Sequence, residues 1–528
     1  MIETALGTSI AFTAPHRLAT KAGYDILEAG GTSVEAMVAA AAQIAVVYPH
    51  MNSIGGDGFW LIKKKGQTPV AISACGPAAE QATPDWYEIK GYKRFLPTRG
   101  PLAALTVPGT IAGWKLALEL DNPIRAIPLN ELLSAAVERA KNGVAVTKNQ
   151  HDTLAAKKNE LASVSGFKDF YLDKGHEPEV GSKLLQTKLG ETLEHLGRAG
   201  LDDFYTGETG KIHGEFLSNA GSPLKASDFE KFKAELQQPL SISTSVGQIF
   251  NLRPPTQGMS SLAILGIYDR IKKDNCDDFD FVHRLVEATK QAFMTRNLEL
   301  GDPANMRVSA EHLVSDSYLD KCASKISDTR AMEWPEVAKK GDTIWMGAVD
   351  DEGTVVSFIQ SIFWEFGSGV ICPETGVLFQ NRGAGFSLSP GPNCLAPGRK
   401  PFHTLNPAMA IMNDGRIVSY GTMGGEGQPQ TQAAIFSRYA FHGVDLQRSI
   451  SAPRWLLGKT WGDDTTSLKL EKSFDLDLVE KLSSAGHDTE LVAANNSLMG
   501  HAGAVVSHPD GRVEAASDAR SDGIALAG

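Results

Sequence analysis

The chain is poor in cysteine: five in 528 residues, with no Cys-x-x-Cys pair among them. Cys75, Cys276, Cys322, Cys372 and Cys394 are scattered and odd in number, so neither a disulfide framework nor a zinc site is indicated. Long apolar runs are missing as well. The longest, about Ala36 to Tyr48, is interrupted by Gln43 and falls short of the roughly 20 residues a membrane span needs. The start, Met1-Ile2-Glu3-Thr4-Ala5, has no basic region and no apolar one, so no secretory leader is expected. Positive charge is in deficit, with 51 Lys and Arg against 62 Asp and Glu, and the resulting net charge of −11 disfavours nucleic acid and anionic membranes as partners. These absences together point to a cytoplasmic protein with neither kind of partner.

Familiar catalytic signatures are absent too. There is no Gly-x-Ser-x-Gly elbow and no His-Glu-x-x-His, and the carboxylates form no local pair suited to glycosidase chemistry. Gly458-Lys459-Thr460 resembles the end of a phosphate-binding loop, but Pro453 stands where the first glycine is required. No cofactor and no metal site is expected. What the chain has is the composition of an ordinary globular protein, 42% hydrophobic and 21% charged, enough for a large core.

The informative stretch is Gly341-Asp342-Thr343-Ile344-Trp345-Met346-Gly347-Ala348-Val349-Asp350. A charged segment carrying Glu333, Glu336, Lys339 and Lys340 precedes it and reads as exposed loop. Apolar residues and then the β-branched run Val355–Phe363 follow it and read as strand. A threonine that ends a loop and opens a strand is what an N-terminal nucleophile requires. Cutting the chain before Thr343 frees a hydroxyl to attack and an α-amine to act as its base. An α-amine titrates near pKa ~7.7–8.0, so a useful fraction is neutral at pH 7. By itself such a threonine is ordinary, because threonine favours strands.

Upstream, residues 16–29 are expected to form a helix stopped by Gly30-Gly31. Thr32-Ser33-Val34-Glu35 fits a capping box for a second helix through Ala36–Val47, alanine-rich and apolar nearly all round. The loop Tyr48 to Trp60 holds Gly55, Gly56 and Gly58, and either connects tightly into a strand Phe59–Lys63 or lines a pocket with His50 and Ser53. Helices are expected to start near Gly109 and Leu129. Residues 1–342 read as one helix-rich lobe. After Thr343 strands dominate: 354–363, 376–380, 408–412, 416–421, 503–507 and 512–516. Gly421 to Gly427 separates a strand from a helix beginning near Thr431, and its consecutive N–H groups suit an oxyanion hole. Arg399 to Pro407 reads as a polar loop.

These pieces, in this order, resemble the γ-glutamyltransferase family of N-terminal nucleophile hydrolases. The resemblance is carried by Pro49-His50 through Gly55-Gly56, Val107-Pro108-Gly109-Thr110, Thr343 with Val349-Asp350, and Phe366-Gly367-Ser368-Gly369. It continues through Pro401 to Pro407, Gly424-Gly425, Ala452-Pro453-Arg454 and Ala516 to Asp522. It implies an α/β, four-layer αββα sandwich, self-cleavage between Asp342 and Thr343, and a heterodimer of fragments 1–342 and 343–528, with a dimer of such heterodimers as a further assembly. It makes Thr343 the nucleophile and Gly424 and Gly425 the oxyanion donors. Ser361 keeps a hydroxyl where the family usually has threonine.

The departures concern the clamp that holds a glutamate head in the family's transferases. No arginine stands near Ser73 to Cys75, the expected acid before Phe386-Ser387 is Gly385, the neighbouring acid or amide position of the family pattern holds Arg382, and a serine pair is replaced by His403-Thr404. This pattern looks like the amidohydrolase and acylase branch, with Arg382, His403 and Thr404 favouring an anion. A small amide bearing a carboxylate is the expected substrate, oxamate the first candidate. The alternatives are a γ-glutamyl enzyme with a rearranged clamp, a cephalosporin-type acylase, and an uncleaved binding relative.

Overall fold

The computed structural model describes residues 3–334, 342–458 and 466–528, with Asp342 described by its backbone only. Two seven-stranded antiparallel sheets lie at its centre. The first has the order Ala5–Gly7, Val513–Ser517, Ala502–Ser507, Ile417–Thr422, Ala408–Met412, Gly247–Asn251, Leu240–Thr244. The second runs Ile524–Ala527, Ala11–Ala14, Asp342–Val349, Val355–Phe363, Asp57–Lys63, Val70–Ala74, Glu235–Gln237. Both sheets take strands from either side of Thr343, so residues 1–342 are not a lobe apart.

Three apolar cores separate four layers. Phe59, Leu61, Trp345, Val355, Ile359, Met409 and Val505 fill the space between the sheets. Helices Arg17–Glu28 and Ser33–Val47 lie over the outer face of the second sheet, and helices Gly258–Ile271 and Gln428–Phe436 over that of the first. This is the αββα sandwich the resemblance implies. With both faces of each sheet covered, central strands need no polar side; every residue of Val355–Phe363 is buried.

Local signals work as expected at the helix pair. Thr32 accepts from the Glu35 N–H and Glu35 reaches back to the Thr32 N–H, completing the capping box. Asp350 accepts from the Ser33 N–H at 2.9 Å, which pins this helix start to the end of the Thr343 strand. The helix is buried all round because the sheet covers one side and helices Arg17–Glu28 and Ser134–Asn142 the other, and alanine permits both close approaches. Two expectations fail. Residues 376–380 form only isolated bridges, Ile371 with Leu378 and Phe379 with Gly55, because the chain there crosses the glycine loop rather than joining a sheet. The helix after Gly427 starts at Gln428, with Pro429 in its first turn, rather than near Thr431.

Trp345, two residues past Thr343, joins the sheets. Its Nε1–H donates to Ser357 Oγ at 2.9 Å, and its ring lies flat on two glycines of the facing sheet. A Cβ at Gly421 would sit 2.2 Å from Trp345 Cδ1, and one at Gly503 2.7 Å from Cζ3. Gly421→Ala is therefore expected to cost roughly 1–3 kcal/mol through overpacking, measured by denaturant unfolding. It should also displace the loop at Gly424, three residues on; wild-type stability would refute the wedge.

Candidate active site around Thr343

Thr343 sits at a break in strand pairing. Asp342 opposes Phe363 but Ile344 opposes Gln360, so Ser361 and Ile362 together face Thr343 across a β-bulge. A bulge re-aims a side chain without ending the strand. Phe363, which closes it, has φ +81°, a conformation that a bulky residue adopts only under constraint, and its N–H donates to Ser361 Oγ at 2.8 Å. Gly56 presses on the same point, where a Cβ would lie 2.2 Å from Ser361 O. The glycine loop is thus a tight connection.

Gly424 and Gly425 have φ of +121° and +54°, a turn suited to glycine, directly before helix Gln428–Phe436. A peptide group is planar, so the direction of each N–H is set by the carbonyl on the same plane. Met423 O accepts from Thr422 Oγ1 at 2.7 Å and thereby sets the Gly424 N–H. Gly424 O accepts from the Gly427 N–H at 2.9 Å and sets that of Gly425. Gly425 O accepts from Gln257 Nε2 at 2.8 Å, and Arg296 joins Gln257 Oε1 at 3.1 Å and Glu426 at 2.7 Å. Behind the loop, Arg454 donates to the carbonyls of Met499 and Gly500 and pairs with Asp518, which also holds Arg520 at 3.1 Å. The Gly500 Cα abuts Gly424. Two motifs 64 residues apart thus support one turn.

Side-chain amides connect this loop to Thr343. Gln428 Nε2 donates to Thr343 Oγ1 at 3.3 Å, and Gln428 Oε1 accepts from Asn406 Nδ2 at 3.0 Å. Asn406 Nδ2 also donates to Thr404 O at 2.8 Å, and Thr404 Oγ1 accepts from Arg382 Nη1 at 3.2 Å. Arg382 has no solvent exposure, and its guanidinium lies 4.0 Å from the centre of the Phe363 ring. Its Nε and Nη2 have no hydrogen-bond partner, and burial lowers its pKa to about 9. A cation at pH 7, it is buried with at least three of its five N–H donors idle.

His403 adds no charge to this. Its Nε2–H donates to Asp57 Oδ2 at 3.0 Å, its Nδ1 accepts from the Leu405 N–H, and burial with the Arg382 charge holds its pKa well below the usual imidazole range. Burial raises the Asp57 pKa to about 7, against the Arg382 charge and donors from Gln380, Gly76 and Gly109. His50 is held neutral by burial, with Nε2 2.7 Å from Asn149 Oδ1, and Ser53 Oγ accepts from the Gly55 N–H within its own turn. The expectation that His403 helps attract an anion is thus corrected: neutral and bound to Asp57, it has no charge to offer. Asp57, Asn406, Gln257 and Gln428 escaped the sequence reading. Only Gln428, in the first helical turn after the glycine pair, had a local signal; Asp57 meets His403 and Gln257 meets Gly425 across 346 and 168 residues, and Asn406 meets Gln428 across 22.

Comparison with known proteins places this geometry. The family model described as gamma-glutamyltranspeptidase matches residues 19–528, and the chain belongs to that family. Its fold is the sandwich of the N-terminal nucleophile hydrolases: the chain superposes on a cephalosporin acylase from Bacillus halodurans with a TM-score of 0.92 at 29% identity, covering 100% of this chain and 97% of that one. It is 49% identical to the oxamate amidohydrolase proenzyme of Klebsiella pneumoniae over 97% of both chains. With the glutathione hydrolase-like YwrD proenzyme of Bacillus subtilis it shares 35% over the full length of both. No helix among the described residues is long and apolar enough to cross a membrane.

Gly425→Val puts a β-branched residue at φ +54°. If the turn serves as the oxyanion hole its N–H groups suit, turnover falls about 10²–10³-fold, the cost of one lost donor. A folded Gly425→Val with normal kcat would remove the loop from the chemistry.

Proposed function

We propose that the chain is a self-processing amidohydrolase with Thr343 as its nucleophile. In processing, Thr343 Oγ1 attacks the carbonyl carbon of Asp342, the peptide shifts to an ester, and water releases fragments 1–342 and 343–528, which stay together as a heterodimer. Their interleaved strands support that assembly, since neither fragment carries a complete sheet. In turnover the freed α-amine takes the hydroxyl proton as Oγ1 attacks the substrate amide. The Gly424 and Gly425 N–H groups receive the developing oxyanion. The C–N bond breaks, the nitrogen leaves with the proton, and water hydrolyses the ester.

The substrate proposed is a small amide bearing a carboxylate, oxamate first, yielding oxalate and ammonia. The observation that carries this is Arg382: buried, charged, with Nε and Nη2 free on one edge and no carboxylate of the described residues in ion-pair reach. Such an edge matches the two oxygens of a carboxylate. Gly385 contributes room; even a Cβ there would come within 3.1 Å of Phe402 O. The Klebsiella pneumoniae relative, named as an oxamate amidohydrolase, agrees.

Thr343→Ala is expected to remain one polypeptide on a denaturing gel and to release no ammonia from oxamate; two normal fragments would exclude Thr343. Arg382→Met should raise KM for oxamate roughly 30-fold or more, as for loss of a buried charge pair, and affect a neutral amide of similar size far less. Equal losses on both would make Arg382 structural. Efficient turnover of a γ-glutamyl anilide by the unmodified protein would overturn the substrate assignment.

A further inference from the structure

Three side chains of ligand type meet in the outer helical layer. His283 and Glu287 lie one turn apart on helix Phe279–Glu299, and His487 follows helix Leu476–Ser484. All three are buried, with candidate ligand atoms within 4.8 Å of one another. His283 Nε2 is 2.8 Å from Ser327 O; a carbonyl only accepts, so Nε2 carries the hydrogen and Nδ1 presents a lone pair. That lone pair faces His487 Nε2 at 2.8 Å. Glu287 Oε2 accepts from the Met332 N–H at 3.1 Å, whereas Oε1 accepts no hydrogen bond although Lys290 Nζ lies 2.7 Å away. His487 Nδ1 is buried with no partner.

We propose that His283, Glu287 and His487 form a site for a zinc-type divalent cation, joining the chain before Thr343 to the chain after it. Two imidazoles and one carboxylate are the donors of Zn2+ rather than of Mg2+ or Ca2+. The His283 N–H to Ser327 O bond is the outer contact that fixes the tautomer and ring orientation of a metal-bound histidine. Tetrahedral binding at about 2.0–2.1 Å needs the two nitrogens to part from 2.8 Å to roughly 3.3 Å, within reach of two side-chain rotations. Lys290 competes for Glu287 without closing the site: its ammonium also donates to Met332 O at 2.6 Å and keeps that partner when Glu287 turns to the ion.

The place of the site gives it a role that rests on the proposed cleavage. Its contacts grip Ser327 and Met332, and the Ala331 N–H donates to Ala485 O at 2.8 Å, so the segment leading towards Thr343 is held between helix Phe279–Glu299 and the His487 turn. A bound ion ties the end of the upstream fragment to the downstream one. No short motif announces it, because the third ligand lies 204 residues from the first.

The test uses purified full-length protein, stripped with chelator and reloaded. One Zn2+ per chain after gel filtration, a visible absorption band of tetrahedral Co2+, and a melting temperature raised by a few degrees in excess Zn2+ are expected. His487→Gln and Glu287→Gln should each lose the stoichiometric ion, and Lys290→Met should bind it tighter, having lost the competing cation. Absence of the Co2+ band in the unmodified protein overturns the proposal by itself, whether or not the variants fold. Full Zn2+ stoichiometry in His487→Gln, or unchanged affinity in Lys290→Met, overturns it equally. Binding to fragments cut before Thr343 and to uncut Thr343→Ala alike would support the site while leaving the cleavage reading to its own gel.

Discussion

The packing of Trp345 against Gly421 and Gly503 is the constraint on which the rest depends. It brings the two sheets into direct contact beside the site. Because Trp345 follows Thr343 by two residues and Gly421 precedes Gly424 by three, one apolar contact places Thr343 and the glycine turn in register. Substituents cannot be added on either side without separating the sheets, since interiors are close-packed and transmit such changes. Thr343 needs no flexible loop to meet that turn; it stands at a bulge facing the fully buried strand Val355–Phe363.

Polar groups carry the second constraint. The line Thr343, Gln428, Asn406, Thr404, Arg382 is built from amides and hydroxyls, with charge only at its far end. Other buried arginines, Arg454 and Arg520, are matched by Asp518 and Glu471 and act as structural ties. Arg382 differs in having a hydroxyl, an aromatic face and a distant Asp57 already engaged by His403. An uncompensated buried charge is costly to a fold, and its retention beside the candidate nucleophile is the physical ground for reading it as a place where substrate supplies the missing anion.

Much of the fold could be read directly. The capping box at Thr32 and the helix stop at Gly30-Gly31 rest on interactions spanning only a few residues, and the strand after Thr343 and the turn at Gly424-Gly425 carry local signals in their β-branched residues and glycines, so each stands where local chemistry puts it. The misplaced strand at 376–380 failed for the complementary reason: its bonds go to Gly55 and Ile371, and strand propensity says nothing about which neighbour is available.

Sequence alone thus determined the chemistry on offer, with a threonine able to become an N-terminal nucleophile, a glycine pair at a helix entrance, and Arg382 close to Gly385, where the resemblance expects an acid. Tertiary structure decided which groups are used. Only folding sets His403 against Asp57 and so neutralises it, brings Gln428 to Thr343, and leaves Arg382 Nε and Nη2 unmatched. The physical reason is range: caps, turns and alternation are settled within a few residues, whereas pairing and desolvation of buried polar groups depend on partners up to several hundred residues away, which no local pattern encodes.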